Sequence, residues 1–172
     1  MSKITAVLGS ALFFLVAPAM LAGVIPWMIT QWVCRPPFLA SDLTRWAGVA
    51  LIVAGVPGVL DSFGRFALLG RGTPAPIAPP SNLVMSGLYR YVRNPIYVAV
   101  VSVILGQGLL FASVSLLVYG ASLWLFFHLA VVVSEEPTLR QSFGAEYDRY
   151  CANVPRWIPH LWPRPTDRLE AR

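Results

Sequence analysis

The residues with the most chemistry in them gather in two short stretches. The first, SGLYRYVRNPIYVAV from Ser86 to Val100, sets Arg90, Arg93, Asn94 and Pro95 directly before a long apolar run. Asn is a favoured helix N-cap and Pro a favoured first helical residue, so a helix is expected to begin at Pro95–Ile96. Its first turn offers free N–H groups and the positive end of a dipole. Arg93 beside it adds a fixed cation, and together they make a site for a carboxylate or phosphate. Tyr89, Tyr91 and Tyr97 equally suit an interfacial belt, and the arginines suit membrane anchors.

The second stretch, FHLAVVVSEEPTL, carries His128, Glu135 and Glu136. On a regular helix His128 and Glu135, seven residues apart, share a face about 10 Å apart along the axis. His128 lies inside an apolar run, where ionisable groups usually face the protein interior or a cavity. The glutamates also fit a plain exit from the membrane into water. Asp61 and Arg65, four apart, read as a local helix ion pair or as further lining. Cations and a helix start on one wall, with carboxylates on another, suit a zwitterionic ligand with an amino acid head.

Those stretches need elements to hold them. The chain is 56% hydrophobic and 12% charged, about half the charge of a soluble domain, and its apolar residues form long runs. It is therefore read as an all-α integral membrane protein, a single domain over residues 1–172 with the lipid bilayer as its main partner. Its net charge of +5 flanks the apolar runs rather than forming a stripe, which favours a membrane surface and argues against nucleic acid. Cys34 and Cys151 fit neither a disulfide framework nor a metal site, so no metal is expected.

Four spans are expected. The first two occupy residues 1–69, at about Ile4–Trp32, kinked by Pro18 and Pro26, and Leu43–Leu60, continuing as helix up to Leu69. The N-terminus resembles a signal peptide, but its apolar run continues to Val33, so it reads as a retained helix. A connector over 70–95 follows, proline-rich in its first part and not helical there. The block 96–133 would reach about 57 Å as one helix against a hydrocarbon core of about 30 Å, so it must fold into a hairpin, with its turn near Leu109–Ser115. A cytoplasmic tail, 134–172, places Leu139, Phe143, Tyr147 and Tyr150 on one face, with a break expected at Gly144. Lys3, Arg65, Arg71, Arg90, Arg93 and the six tail arginines fall on one side, against Arg35 and Arg45 on the other. Both termini are thus placed on the cytoplasmic side, in what is expected to be a bacterial cytoplasmic membrane.

The pieces GRGTPAPIAPPSNLV, SGLYRYVRNPIYV, FHLAVVVSEEPTL and FGAEYDRYCANVPRWIP, in this order over about Gly70–Pro159, resemble the isoprenylcysteine carboxyl methyltransferase and phospholipid methyltransferase superfamily. The resemblance implies an S-adenosylmethionine-dependent methyltransferase, with S-adenosylhomocysteine as product, and a cofactor pocket built from the last two spans, the connector and the tail. It places Tyr89, Arg93, Asn94, Pro95 and Tyr97 at the cofactor, His128, Glu135 and Glu136 at cofactor or acceptor, and Tyr147 and Tyr150, with Arg156, in closing the site. The catalytic candidates are His128, Glu135, Glu136 and Arg93. The prenylcysteine enzymes usually carry RHP where this chain has Arg93-Asn94-Pro95. The implied acceptor is lipophilic. O-methylation of an isoprenylcysteine-type carboxylate comes first, with N-methylation of a phosphatidylethanolamine-type lipid or S-methylation of a small thiol as alternatives. An NADPH-dependent sterol-type reductase and a non-enzymatic membrane binding protein are the alternatives of another class.

Overall fold

The computed structural model describes residues 16–69 and 83–160. Lys3, the proline-rich start of the connector with Arg71, and the end of the tail lie outside the described residues. Those described form helices joined by turns, with no strand among them. We label the helices α1 (Val16–Thr30), α2 (Leu43–Leu69), α3 (Pro95–Leu110), α4 (Val114–Phe143) and α5 (Ala145–Asn153).

α3 is the central helix. Nine of its 16 residues are buried, as expected of a helix that is apolar all round. It runs antiparallel to α2 at very short range, because small residues face each other along the seam. A Cβ on Gly48 would lie 2.6 Å from the Gly106 carbonyl oxygen, and one on Gly55 would lie 2.9 Å from that of Ala99. Between helices immersed in lipid, such close backbone approach supplies the packing attraction that water would otherwise drive. α4 folds back on the other side of α3, with Leu117 against Gly108, and Ile104 and Leu105 against Gly120. The reversal occupies Phe111–Ser113, within the expected turn. Ala112 takes a φ of 51°, and the Ser113 hydroxyl accepts the Leu116 N–H to cap α4.

α1 attaches by backbone defects of its own making. Pro26 has no N–H to offer the Ala22 carbonyl, and the π-turn Met20–Val24 sends the Ile25 N–H to Met20 instead of Leu21. The two freed carbonyls accept from the hairpin: Ala22 from Gln107 Nε2 at 2.7 Å, and Leu21 from the Tyr119 hydroxyl at 3.1 Å. The buried Gln107 of α3 and the half-buried Tyr119 of α4 thus find their partners where α1 has carbonyls to spare.

The outer faces are apolar: Trp27, Met28, Trp46, Val53, Val118, Phe126 and Val133 are all exposed. Two segments are long and apolar enough to cross a membrane, Leu43–Ser62 and Val114–Phe143, while α1 as described and α3 are shorter. α4 corrects the expected boundary at Val133. It continues unbroken through a π-turn at Val131–Glu135 to Phe143, and the break comes at Gly144, with φ 52°.

Replacing Gly48 with alanine drives a methyl into the Gly106 backbone, an overpacking worth about 1–3 kcal/mol. Thermal unfolding of the detergent-solubilised protein should show that loss for Gly48→Ala and none for Gly23→Ala, which meets nothing within 4 Å.

Candidate functional site

The connector and the tail meet at the end of the bundle where α3 begins. The Arg93 N–H donates to the Pro155 carbonyl at 2.9 Å, and the His160 N–H to that of Tyr91 at 3.0 Å. Asn94 occupies the N-cap position, but its side chain does not cap. Its Nδ2 donates instead to the Arg156 carbonyl at 3.2 Å, correcting the expected capping role. Pro95 begins the helix as expected, and the first-turn amides of α3 keep no side-chain acceptor of their own.

Glu136 is the hub of this junction. Its carboxylate, buried at the end of α4, accepts from Arg93 Nη1 at 3.1 Å and from Arg156, whose Nη2 lies 3.0 Å from the second oxygen. The Arg156 guanidinium is held above its ordinary basicity by that hydrogen bond. Arg93 Nη1 also reaches Cys151 Sγ on α5 at 2.8 Å. One carboxylate therefore joins the start of α3, the end of α4 and the tail. Arg93 is engaged within the protein, although its Nε is buried without a partner.

Glu135 is placed differently. A regular helix would align it with His128, but the π-turn inserts about one residue and rotates Glu135 by about 100°. Phe127, Val131 and Glu135 then follow one another down the face toward α3. Phe127 stacks on Tyr97 with centroids 4.3 Å apart, and the Tyr97 hydroxyl donates to Glu135 Oε1. Among the described residues Glu135 has no cationic partner.

His128 faces a separate aromatic group. Its Nδ1 accepts the Trp157 indole N–H at 3.0 Å, and Trp124 stacks on the ring with centroids 5.5 Å apart. That bond requires an unprotonated Nδ1 and puts the neutral ring's proton on Nε2. The expected shared face of His128 and Glu135 is therefore not formed.

Tyr147 and Tyr150 are buried with Val154 against Leu83, Met85, Leu139 and Phe143, so the expected tail face packs on the connector. The Tyr150 hydroxyl donates to the Tyr89 carbonyl at 2.7 Å. Burial pushes the phenols of Tyr89, Tyr147 and Tyr150 well above their ordinary range. For Tyr89 the charges of Glu135 and Asp61 push the same way. Tyr150 and Tyr89 are thus neutral supports. Sequence reasoning missed Trp157 and Cys151. The tryptophan directly follows the VPR motif, and that adjacency was the available signal; nothing in the spacing of Cys151 pointed to Arg93.

The model of the family described as phospholipid methyltransferase matches residues 43–146, from the start of α2 to the start of α5. The chain belongs to that family. Over 78 residues it is 40% identical to the protein-S-isoprenylcysteine O-methyltransferase of Schizosaccharomyces pombe, covering 45% of this chain and 33% of that one. Over 119 residues it is 31% identical to the nickel-cobalt-cadmium resistance protein NccN of Alcaligenes xylosoxydans xylosoxydans, covering 67% of this chain and 53% of that one. The chain thus spans between a third and about half of the length of these curated relatives. No solved structure matches it.

Removing one member of a buried ion pair strands the others and costs about 3–5 kcal/mol, whereas a single hydrogen bond to a carboxylate is worth about 1.5–3 kcal/mol. Glu136→Ala should therefore destabilise the protein more than Glu135→Ala in thermal or denaturant unfolding. Equal losses would contradict the division between them.

Proposed function

We propose that the chain is an S-adenosylmethionine-dependent methyltransferase that works at the cytoplasmic surface of a membrane on a lipophilic carboxylate. We propose further that it crosses the membrane four times, with both termini cytoplasmic. The observation that carries the reading is the meeting of Arg93, Tyr97, Glu135, Glu136 and Arg156 at one end of the bundle, from segments far apart in the chain. Family membership supports it, and the isoprenylcysteine O-methyltransferase among the relatives supports the choice of acceptor.

The residues fit the cofactor's charged groups. Glu135, partly buried and without a cation, suits an ammonium, and Tyr97 fixes its other oxygen. The uncapped first turn of α3, with Arg93 beside it, suits a carboxylate. Glu136 holds Arg93 and Arg156 and so acts by shaping the site. S-adenosylmethionine, when bound, supplies an electrophilic methyl group. The protein's task is then alignment and the exclusion of water, which the buried Tyr147 and Tyr150 and the stacked Phe127 serve.

A specific observation favours the carboxylate over an amine acceptor. A carboxylate needs no base, whereas an amine arrives protonated and must lose a proton. His128, the natural base, has its Nδ1 lone pair committed to Trp157 and its proton on Nε2. It is better suited to donate a hydrogen bond to the acceptor than to take its proton.

Purified protein should bind S-adenosylhomocysteine, and Glu135→Gln should weaken that binding by about tenfold or more, about 1.4 kcal/mol. With radiolabelled S-adenosylmethionine and a prenylated cysteine, the product should release methanol in alkali, as an ester does. An alkali-stable product would contradict the carboxylate reading. Binding of NADPH and not of S-adenosylhomocysteine would point to a reductase instead.

A further inference from the structure

A groove of about 710 Å³ lies beside the site, between the C-terminal part of α2 and the segment leading into α3. Asp61, Arg65, Ser86, Arg90 and Tyr91 supply its polar lining. Its volume falls in the range of small-molecule sites.

Two of its three charges are already spent on each other. Arg65 Nε reaches both oxygens of Asp61, at 2.9 and 3.0 Å, one turn apart on α2. Gly87 keeps that pair in place. With φ 59° it has no Cβ, and a Cβ there would lie 2.0 Å from Arg65 Nε. The pair is a neutral part of the groove wall.

Arg90 is left over. Among the described residues it has no carboxylate partner, and its Nε is buried without an acceptor. The Ser86 hydroxyl, in the same groove, is also buried without a partner. Two buried unsatisfied groups on residues that line one groove are uncommon in a native protein and call for an occupant. The excess charge is one cation, so the occupant is an anion.

We propose that this groove binds a phosphate or carboxylate group, held by the Arg90 guanidinium and the Ser86 hydroxyl. The groove-lining Tyr91 stands two residues before Arg93, and Tyr89 in the 3₁₀ turn Gly87–Arg90 accepts the Tyr150 hydroxyl on its carbonyl, so an anion here sits next to the candidate methyl-transfer site. As the seat for the anionic end of an amphiphilic acceptor, the groove's role rests on the methyltransferase reading. As an anion site it does not.

The test uses the full chain in detergent, with dihexanoyl phosphatidate, inorganic phosphate and dihexanoylglycerol as probes, and S-adenosylhomocysteine titrated separately. Phosphatidate should bind, dihexanoylglycerol should not, and Arg90→Gln should weaken the phosphatidate at least tenfold. Ser86→Ala, which removes one hydroxyl without a charge change, should weaken it about threefold to tenfold. Inorganic phosphate binding as tightly as phosphatidate, with the same losses, would support the anion site and make its source free phosphate instead of a lipid headgroup. Phosphatidate binding unchanged in both variants, or dihexanoylglycerol binding as tightly as phosphatidate, would overturn the proposal. Both variants should keep their S-adenosylhomocysteine affinity. A wild type that binds phosphatidate but no S-adenosylhomocysteine would leave the groove standing and remove the methyltransferase reading.

Discussion

The buried carboxylate of Glu136 is the constraint on which the rest of the site depends. A carboxylate at the end of an apolar helix is costly to bury unless it is paired. Here the pairing comes from two arginines that arrive from opposite directions along the chain, Arg93 from before α3 and Arg156 from after α5. Satisfying one charge therefore fixes three segments. The tail cannot leave without taking Arg156 from Glu136, and α3 cannot shift its start without taking Arg93 from it.

The π-turn just before it sets the second half of the arrangement. Adjacent glutamates on a helix point about 100° apart, so only one can face the arginines. The extra residue at Val131–Glu135 aims Glu135 at Tyr97 while Glu136 meets the cations. Two neighbouring residues of the same type thereby acquire different surroundings, one paired with two arginines and one, among the described residues, bonded to a tyrosine and without a cation. Insertions of this kind occur often at functional sites, because they re-aim a side chain without breaking the helix.

Much of this was legible in the sequence. The length of the 96–133 block forced a hairpin, and its turn falls where expected. Gly144 breaks the tail, and Leu139, Phe143, Tyr147 and Tyr150 share a cluster as their spacing implied. What spacing could not convey was any departure from regular helix geometry. His128 and Glu135 appeared to share a face because seven residues close two regular turns, and the π-turn removes that register. Asn94 fits an N-cap by type, but its amide is drawn to the Arg156 carbonyl, 62 positions along the chain. Pairing over such distances, as in the attachment of Trp157 to His128, depends on tertiary approach and leaves no local pattern.

A double-mutant cycle on Glu136 and Arg156, read as affinity for S-adenosylhomocysteine, tests the central claim most directly. If the ion pair builds the site by docking the tail, each single substitution to alanine weakens binding, and the double variant is little worse than either. Losses that simply add, or an affinity indifferent to both, would contradict the account.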